Sequence, residues 1–247
     1  MQFTVLRFDS LPSTNDEAAR QAKLGANEGL GVVARQQTAG RGRRERVWHS
    51  PPHAGLYFSL ILRPKLEMQK LPLITLAAAI SVSDAIEEVC DLPTDIKWAN
   101  DVFAGGKKLS GILAETVETE NGIAVVLGIG INLKKDAVAP ELFHTATSIE
   151  GETGKAPDVE KLLAALTKNL EKNYQILHLN NGSEQIIELW TKRSSYAFGK
   201  SVRVTLENES FEGETCGLES SGALRVRAEN GLMKIIHAGD VVSLRRQ

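Results

Sequence analysis

The sequence predicts an α+β fold, a mixed β-sheet backed by helices and followed by a small all-β domain. Three observations carry that prediction. The chain opens strand, polar turn, helix. Later strand-like pieces are joined by the short turn signals Gly105-Gly106 and Asn121-Gly122, as in a meandering sheet. From Gly199 onward only short strands remain, broken at Glu207-Asn208, Ser220-Ser221-Gly222 and Glu229-Asn230-Gly231.

Residues 3–9 read as the first strand. Ser13-Thr14-Asn15 offer an N-cap to a helix with Asp16 and Glu17 in its first turn and Gly25 as its stop. A second strand spans residues 31–36, and a polar, glycine- and arginine-rich loop of residues 37–54 leads to an alternating strand over 56–62. A long loop inside a folded domain is usually functional or disordered, which directs attention to it. Residues 71–90, rich in Ala, Leu and Ile, read as a buried helix, and strands follow at 95–98, 109–117 and 123–133. Asp158 caps a helix whose Leu162, Leu166, Leu170, Tyr174 and Leu177 recur with helical period. A short helix over 184–192 closes the larger domain, so the domains are expected at residues 1–196 and 197–247.

Composition excludes several classes. Hydrophobic content of 42% with 24% charged residues is that of a globular protein that can build a sizeable core, and no apolar run reaches membrane-spanning length. The start lacks a basic leader followed by an apolar block, which makes the cytoplasm the expected compartment. A net charge of −2 gives no general basic character for nucleic acid. The two cysteines, Cys90 and Cys216, have no metal-ligand spacing and read as free thiols.

The loop carries the densest chemistry, Gly40-Arg41-Gly42-Arg43-Arg44-Glu45-Arg46-Val47-Trp48. Its glycines permit close backbone approach, and guanidinium forks match phosphate and carboxylate oxygens in pairs. A basic run alone reads as a solvated loop or an RNA-binding tract, but this one occurs once and lies between strands of a folded domain. Lys97-Trp98-Ala99-Asn100-Asp101 ends a strand, and Lys107-Lys108-Leu109-Ser110-Gly111 follows the Gly-Gly turn, where a lysine by itself reads as solvent-exposed. Gly128-Ile129-Gly130-Ile131-Asn132 lacks the third glycine of a dinucleotide fingerprint and ends a strand, so close backbone approach to a ligand is its better reading. There is no Walker A motif, and Pro51-Pro52 between His49 and His53 argues against a zinc site.

Taken in order, GRGRR…W, KW-x-ND, KLSGILAE, GIGIN and a terminal AGDVVSLR resemble the biotin protein ligases from Ser13 to the C-terminus. The resemblance implies an ATP-dependent, AMP-forming ligase. Such an enzyme makes biotinyl-5′-AMP and pyrophosphate from biotin and ATP. It then transfers biotin to one lysine of a biotin carboxyl carrier protein or domain of a carboxylase. By the same resemblance Ser13, Thr14, Asn15, Gln37, Arg41, Gly111 and Leu113 are expected at biotin. Arg41, Arg43, Arg46, Trp48, Asn100, Asp101, Lys108 and Asn132 are expected at ATP and the adenylate, with Lys108, Arg41 and Arg43 catalytic. Mg²⁺ is the expected counter-ion, with no ligand assigned. The loop over residues 38–50 is expected to close on ligand. The C-terminal unit resembles an SH3-like barrel, there either to help with ATP and acceptor or as a passive stabilising module.

Two residues depart from the family pattern: Glu45 stands where glycine is usual and Ala99 where proline is common. The catalytic strand begins at Phe3, so a DNA-binding repressor activity is not expected. A homodimer stays open. Two rivals remain at this point, a lipoate or octanoate ligase or transferase of the same fold, and an arginine-rich nucleic-acid-binding module.

Overall fold

The structure is a computed structural model and describes residues 3–244. Arg245 of the terminal AGDVVSLR run, and Met1 and Gln2 of the start, lie outside the described residues.

The first sheet is built by β1 (Thr4–Phe8), β2 (Leu30–Ala34), β3 (Gly55–Leu62), β4 (Asp95–Lys97), β5 (Asp101–Ala104), β6 (Lys107–Thr119) and β7 (Gly122–Asn132). Its strand order is β1-β2-β3-β7-β6-β5-β4. The β1–β2 pair is parallel, because helix α1 (Thr14–Lys23) carries the chain back between them, and the remaining pairs are antiparallel. Helices α2 (Pro72–Cys90), α3 (Ile149–Thr153), α4 (Val159–Leu177) and α5 (Gly182–Lys192) complete this part of the chain.

Both faces of β3 are covered, so the strand reads as a nearly continuous apolar run. Leu56, Phe58, Leu60 and Leu62 face one way, into the main core with α2 and α4. Ile61 faces the other way, with Ala18 and Ala22 of α1 and Val32 of β2. Ser59 shares that second face, and its hydroxyl points at α1. The alternation of one strand thus delivers a polar atom to the place where the helix begins.

Three local features differ from the sequence reading or were absent from it. The stretch after Lys97 holds an additional strand, β5, because the positive-φ pair Gly105 and Gly106 makes a turn so tight that Ala104 pairs directly with Lys107. Lys108 therefore sits on β6 rather than in a turn. Helix α3, with Ser148 as its cap, is too short to register as a helical period. Helix α5 starts earlier than expected, at Gly182.

The second sheet comprises β8 (Phe198–Thr205), β9 (Ser210–Leu218), β10 (Leu224–Ala228), β11 (Met233–Ile236) and β12 (Asp240–Ser243), all antiparallel in the order β11-β10-β9-β8-β12. It is the SH3-like unit expected, with β11 and β12 as edge strands rather than a closed ring. Its core residues Val202, Val204, Leu224, Val226 and Val241 belong to the same apolar cluster as α2 and the first sheet. A buried hydrogen bond from Trp98 Nε1 to Gly222 O (2.9 Å) joins the two units beside the KW-x-ND segment.

Candidate active site

One pocket gathers the motifs. Its walls come from the start of α1, the arginine loop, the turn into β5, the middles of β6 and β7, the segment 137–146 and, from the second sheet, Asp240. Ser13, Thr14, Asn15, Gln37, Arg41, Arg43, Arg46, Trp48, Asn100, Asp101, Lys108, Gly111, Leu113 and Asn132, drawn from motifs spread over about half the chain, all line it.

At one end the groups are neutral and buried. Ser13 caps α1 by accepting from the Asp16 N–H (3.4 Å). That capping turns the next two side chains inward, and Ser13, Thr14 and Asn15 are all buried. Gln37 Oε1 accepts from the Thr14 N–H (2.8 Å) and hydroxyl (3.0 Å), and Gln37 Nε2 donates to Ser50 Oγ (3.0 Å). Ser50 in turn donates to the Trp48 carbonyl (2.9 Å), so the chain of bonds reaches the arginine loop. Below it, the fully buried Ser59 donates to Asn15 Oδ1 (2.6 Å) and lies 2.8 Å from Thr14 Oγ1. Asn15 then donates to Glu115 (2.7 Å).

At the other end the groups are charged. Arg41 meets Asp16 (2.6 Å) and Glu115 (3.2 Å). Burial opposes its charge, but the two carboxylates outweigh burial and hold its pKa above the ordinary value. Arg43 donates to Asn100 Oδ1 (3.0 Å). Burial pushes its guanidinium below the ordinary value against the pull of Asp101 and Asp240, and Lys97 is lowered by burial in the same way. Lys108 Nζ stands 2.7 Å from Asp101 Oδ1, outside hydrogen-bond alignment, and that buried oxygen has no hydrogen-bond partner. The backbone of Lys108 is pinned by Thr145 and Thr147 (2.9 Å each), which fixes where its side chain starts.

The glycines of GIGIN and KLSG make room for side chains. A Cβ on Gly130 would sit 2.5 Å from the Trp48 indole, one on Gly111 3.0 Å from it, and one on Gly128 would overlap Asn15 Oδ1. The close approach expected there is made in this structure by Trp48 and Asn15. The indole N–H of Trp48 is buried without a partner, and Lys108 Nζ lies 5.5 Å from the ring centre. Asn132 is buried and donates to Thr147 O (2.9 Å).

The two departures from the family pattern fall at unusual backbone. Glu45 has φ of 59° and Arg44 54°, the left-handed region that glycine enters at no steric cost. The Trp98–Ala99 peptide is cis.

Sequence reasoning missed Asp16, Ser59, Glu115 and Asp240, which sit among the motif residues. Ser59 is a lone hydroxyl within Leu56-Tyr57-Phe58-Ser59-Leu60-Ile61-Leu62, and Glu115 and Asp240 stand within KLSGILAE and AGDVVSLR, but nothing in those strings assigns the acids a role. Their role emerges only when the fold sets them against arginines.

Comparison with known proteins follows the same outline. Residues 6–132 match the model of the Biotin/lipoate A/B protein ligase family, and residues 197–243 that of the Biotin protein ligase C terminal domain. The chain is 39% identical over 239 residues to the bifunctional ligase/repressor BirA of Bacillus subtilis, across 95% of this chain and 72% of that protein. It is 35% identical over 236 residues to the biotin--[acetyl-CoA-carboxylase] ligase of Paracoccus denitrificans, covering 93% and 96% of the two. The structure of the biotin protein ligase from Aquifex aeolicus in complex with biotin and ATP superposes with a TM-score of 0.84 at 30% identity, over 98% of this chain and 99% of that one.

Proposed function

The chain belongs to the biotin/lipoate A/B protein ligase family and is a biotin protein ligase; from that premise we propose how its own residues perform the two half-reactions. The observation that carries the reading is a single pocket with a neutral, buried hydrogen-bonding end and a cationic end, with Lys108 on the strand that connects them.

The neutral end, Ser13, Thr14, Asn15 and Gln37, takes the ureido head of biotin, where paired donors and acceptors reject a ligand that leaves them unmatched. Gly111 and Leu113 line the path to the cationic end. There Arg41 and Arg43, with Arg46 at the rim, offset the charge of the biotin carboxylate and the ATP phosphates, and Asn132 and Trp48 flank the adenine. One carboxylate oxygen attacks the α-phosphorus, the bond to the β-phosphate oxygen breaks, and pyrophosphate leaves. Lys108 stabilises the charge growing between these two anions. In the second half-reaction an acceptor lysine attacks the acyl carbon, AMP leaves, and the amine gives up its proton.

Mg²⁺ would be held here through Asp101, whose buried Oδ1 has no aligned hydrogen bond and only the Lys108 ammonium beside it, together with phosphate oxygens. When bound it would neutralise the leaving pyrophosphate. The acceptor is a biotin carboxyl carrier domain. No helix among the described residues is long and apolar enough to cross a membrane. We assign ligation alone, and specific operator binding at physiological salt would overturn that assignment.

The deciding experiment is ATP–pyrophosphate exchange without carrier protein, run with biotin, lipoate and octanoate in parallel. Exchange with biotin alone is expected. Exchange with lipoate or octanoate would move the chain to the sister activity, and none with any acid would refute adenylation.

A further inference from the structure

Side chains of the arginine loop are anchored at three places, Arg41 on Asp16 and Glu115, Arg43 on Asn100, and Arg44 with Arg46 on Asp240 of the other domain. Asp240 opens β12, and its backbone is held there by pairing with Thr205 of β8. The second sheet is itself seated on the first unit by the Trp98–Gly222 hydrogen bond and the shared core. The Asp240 carboxylate is therefore a fixed point at the pocket rim.

Two cations of the loop converge on one of its oxygens. Arg44 Nη1 lies 3.3 Å from Asp240 Oδ2, and Arg46 Nη2 donates to the same atom. Between them the chain passes through left-handed backbone at Arg44 and Glu45, a conformation that needs outside support. With Arg44 and Arg46 drawn to the second sheet, Arg43, next in the chain before Arg44, is directed inward to Asn100. Both ion pairs are partly exposed, the carboxylate by 31%, so each is weak alone. Their joint effect falls on a short loop whose alternative is an open set of conformations.

We propose that Asp240 is a positioning residue. It latches the arginine loop to the second sheet so that Arg43 faces the phosphate end of the pocket. The proposal rests on the ligase reading for its kinetic test and on geometry alone for its structural one.

The test uses the full chain with Asp240→Asn and Asp240→Glu. Asp240→Asn should raise the KM for ATP in biotin-dependent exchange about three- to tenfold, leave the KM for biotin unchanged, and speed tryptic cleavage within residues 41–46 by a similar factor. Asp240→Glu should restore most of both. Should Asp240→Asn fail to fold, Arg44→Gln, which leaves the second sheet untouched, should raise the KM for ATP in the same way. Unchanged KM for ATP and unchanged cleavage would overturn the latch. So would a lower KM for ATP, which would mean that Asp240 competes with phosphate for Arg46. If the wild type shows no exchange at all, the ligase reading fails, and the cleavage rates still decide the latch.

Discussion

The two ends of the pocket are built from different materials. Around Thr14 and Gln37 the polar side chains of Ser13, Thr14, Asn15, Gln37, Ser50 and Ser59 are neutral, bonded to neighbours and, but for the half-buried Gln37, buried, and Glu115 is the carboxylate they reach, through Asn15. Around Arg41, Arg43 and Arg46 the side chains are cationic and partly exposed, and they rest on carboxylates or an amide oxygen. A neutral head group gains little over water unless its partners are oriented and dry beforehand, so that end is laid on a helix start and a central strand. An anion can draw cations away from weak carboxylate partners, so the other end can be hung on a loop.

If this division holds, damage to one end should spare the other. The largest effect is expected from Lys108→Ala, which removes the cation nearest both anions. Biotin-dependent exchange should fall by about 10²- to 10³-fold, the range for loss of one transition-state donor, while biotin affinity without ATP stays close to wild type. Turnover at the wild-type rate would return Lys108 to the status of a surface lysine.

Gly128→Ala strikes the neutral end. The new methyl would occupy the space of Asn15 Oδ1, and Asn15 cannot retreat without leaving Ser59 and Glu115. Overpacking of this kind costs about 1–3 kcal/mol, so biotin should bind roughly tenfold or more weakly. At saturating biotin the exchange rate should recover, because Lys108 and Arg43 are untouched. A loss of kcat that saturating biotin cannot repair would show the ends to be coupled.

The contrast also explains what the sequence made legible. The sheet, the long helices and the capped start of α1 announce themselves through period and punctuation, because Ser13, Asp158 and the Gly105-Gly106 turn act on their own neighbours. The motif residues were likewise visible, since GRGRR and KLSG are unusual strings. The pairings between motifs were not. Glu115 meets Arg41 across 74 positions and Asp240 meets Arg46 across 194, and no local pattern encodes such a pairing. Strand β5 was hidden for another reason, since four residues between two turn signals are too few to show alternation.

Ser59→Ala tests the neutral end more gently. The hydroxyl is fully buried and orients both Thr14 and Asn15, so its loss should cost about 1–2 kcal/mol of stability and weaken biotin binding several-fold. The loop end should not register the change, and the KM for ATP at saturating biotin is the measurement that checks this.

Ionic strength gives the smallest and most diagnostic effect. Raising salt from about 0.05 M to about 0.5 M shortens the screening length from roughly 14 Å to roughly 4 Å. The cations at the loop end are partly exposed, with Arg46 67% and Arg41 45% accessible, so their attraction for phosphates should weaken and the KM for ATP should rise about two- to fivefold. The head end carries no charge among Ser13, Thr14, Asn15 and Gln37, and biotin affinity measured without ATP should move far less. The carboxylate of biotin is the one group whose screening blurs the comparison. Biotinol, which keeps the head and replaces that carboxylate with an alcohol, should therefore bind with little salt dependence, and a steep dependence for biotinol would show that the Glu115–Arg41 pair beside Asn15 acts on the head group.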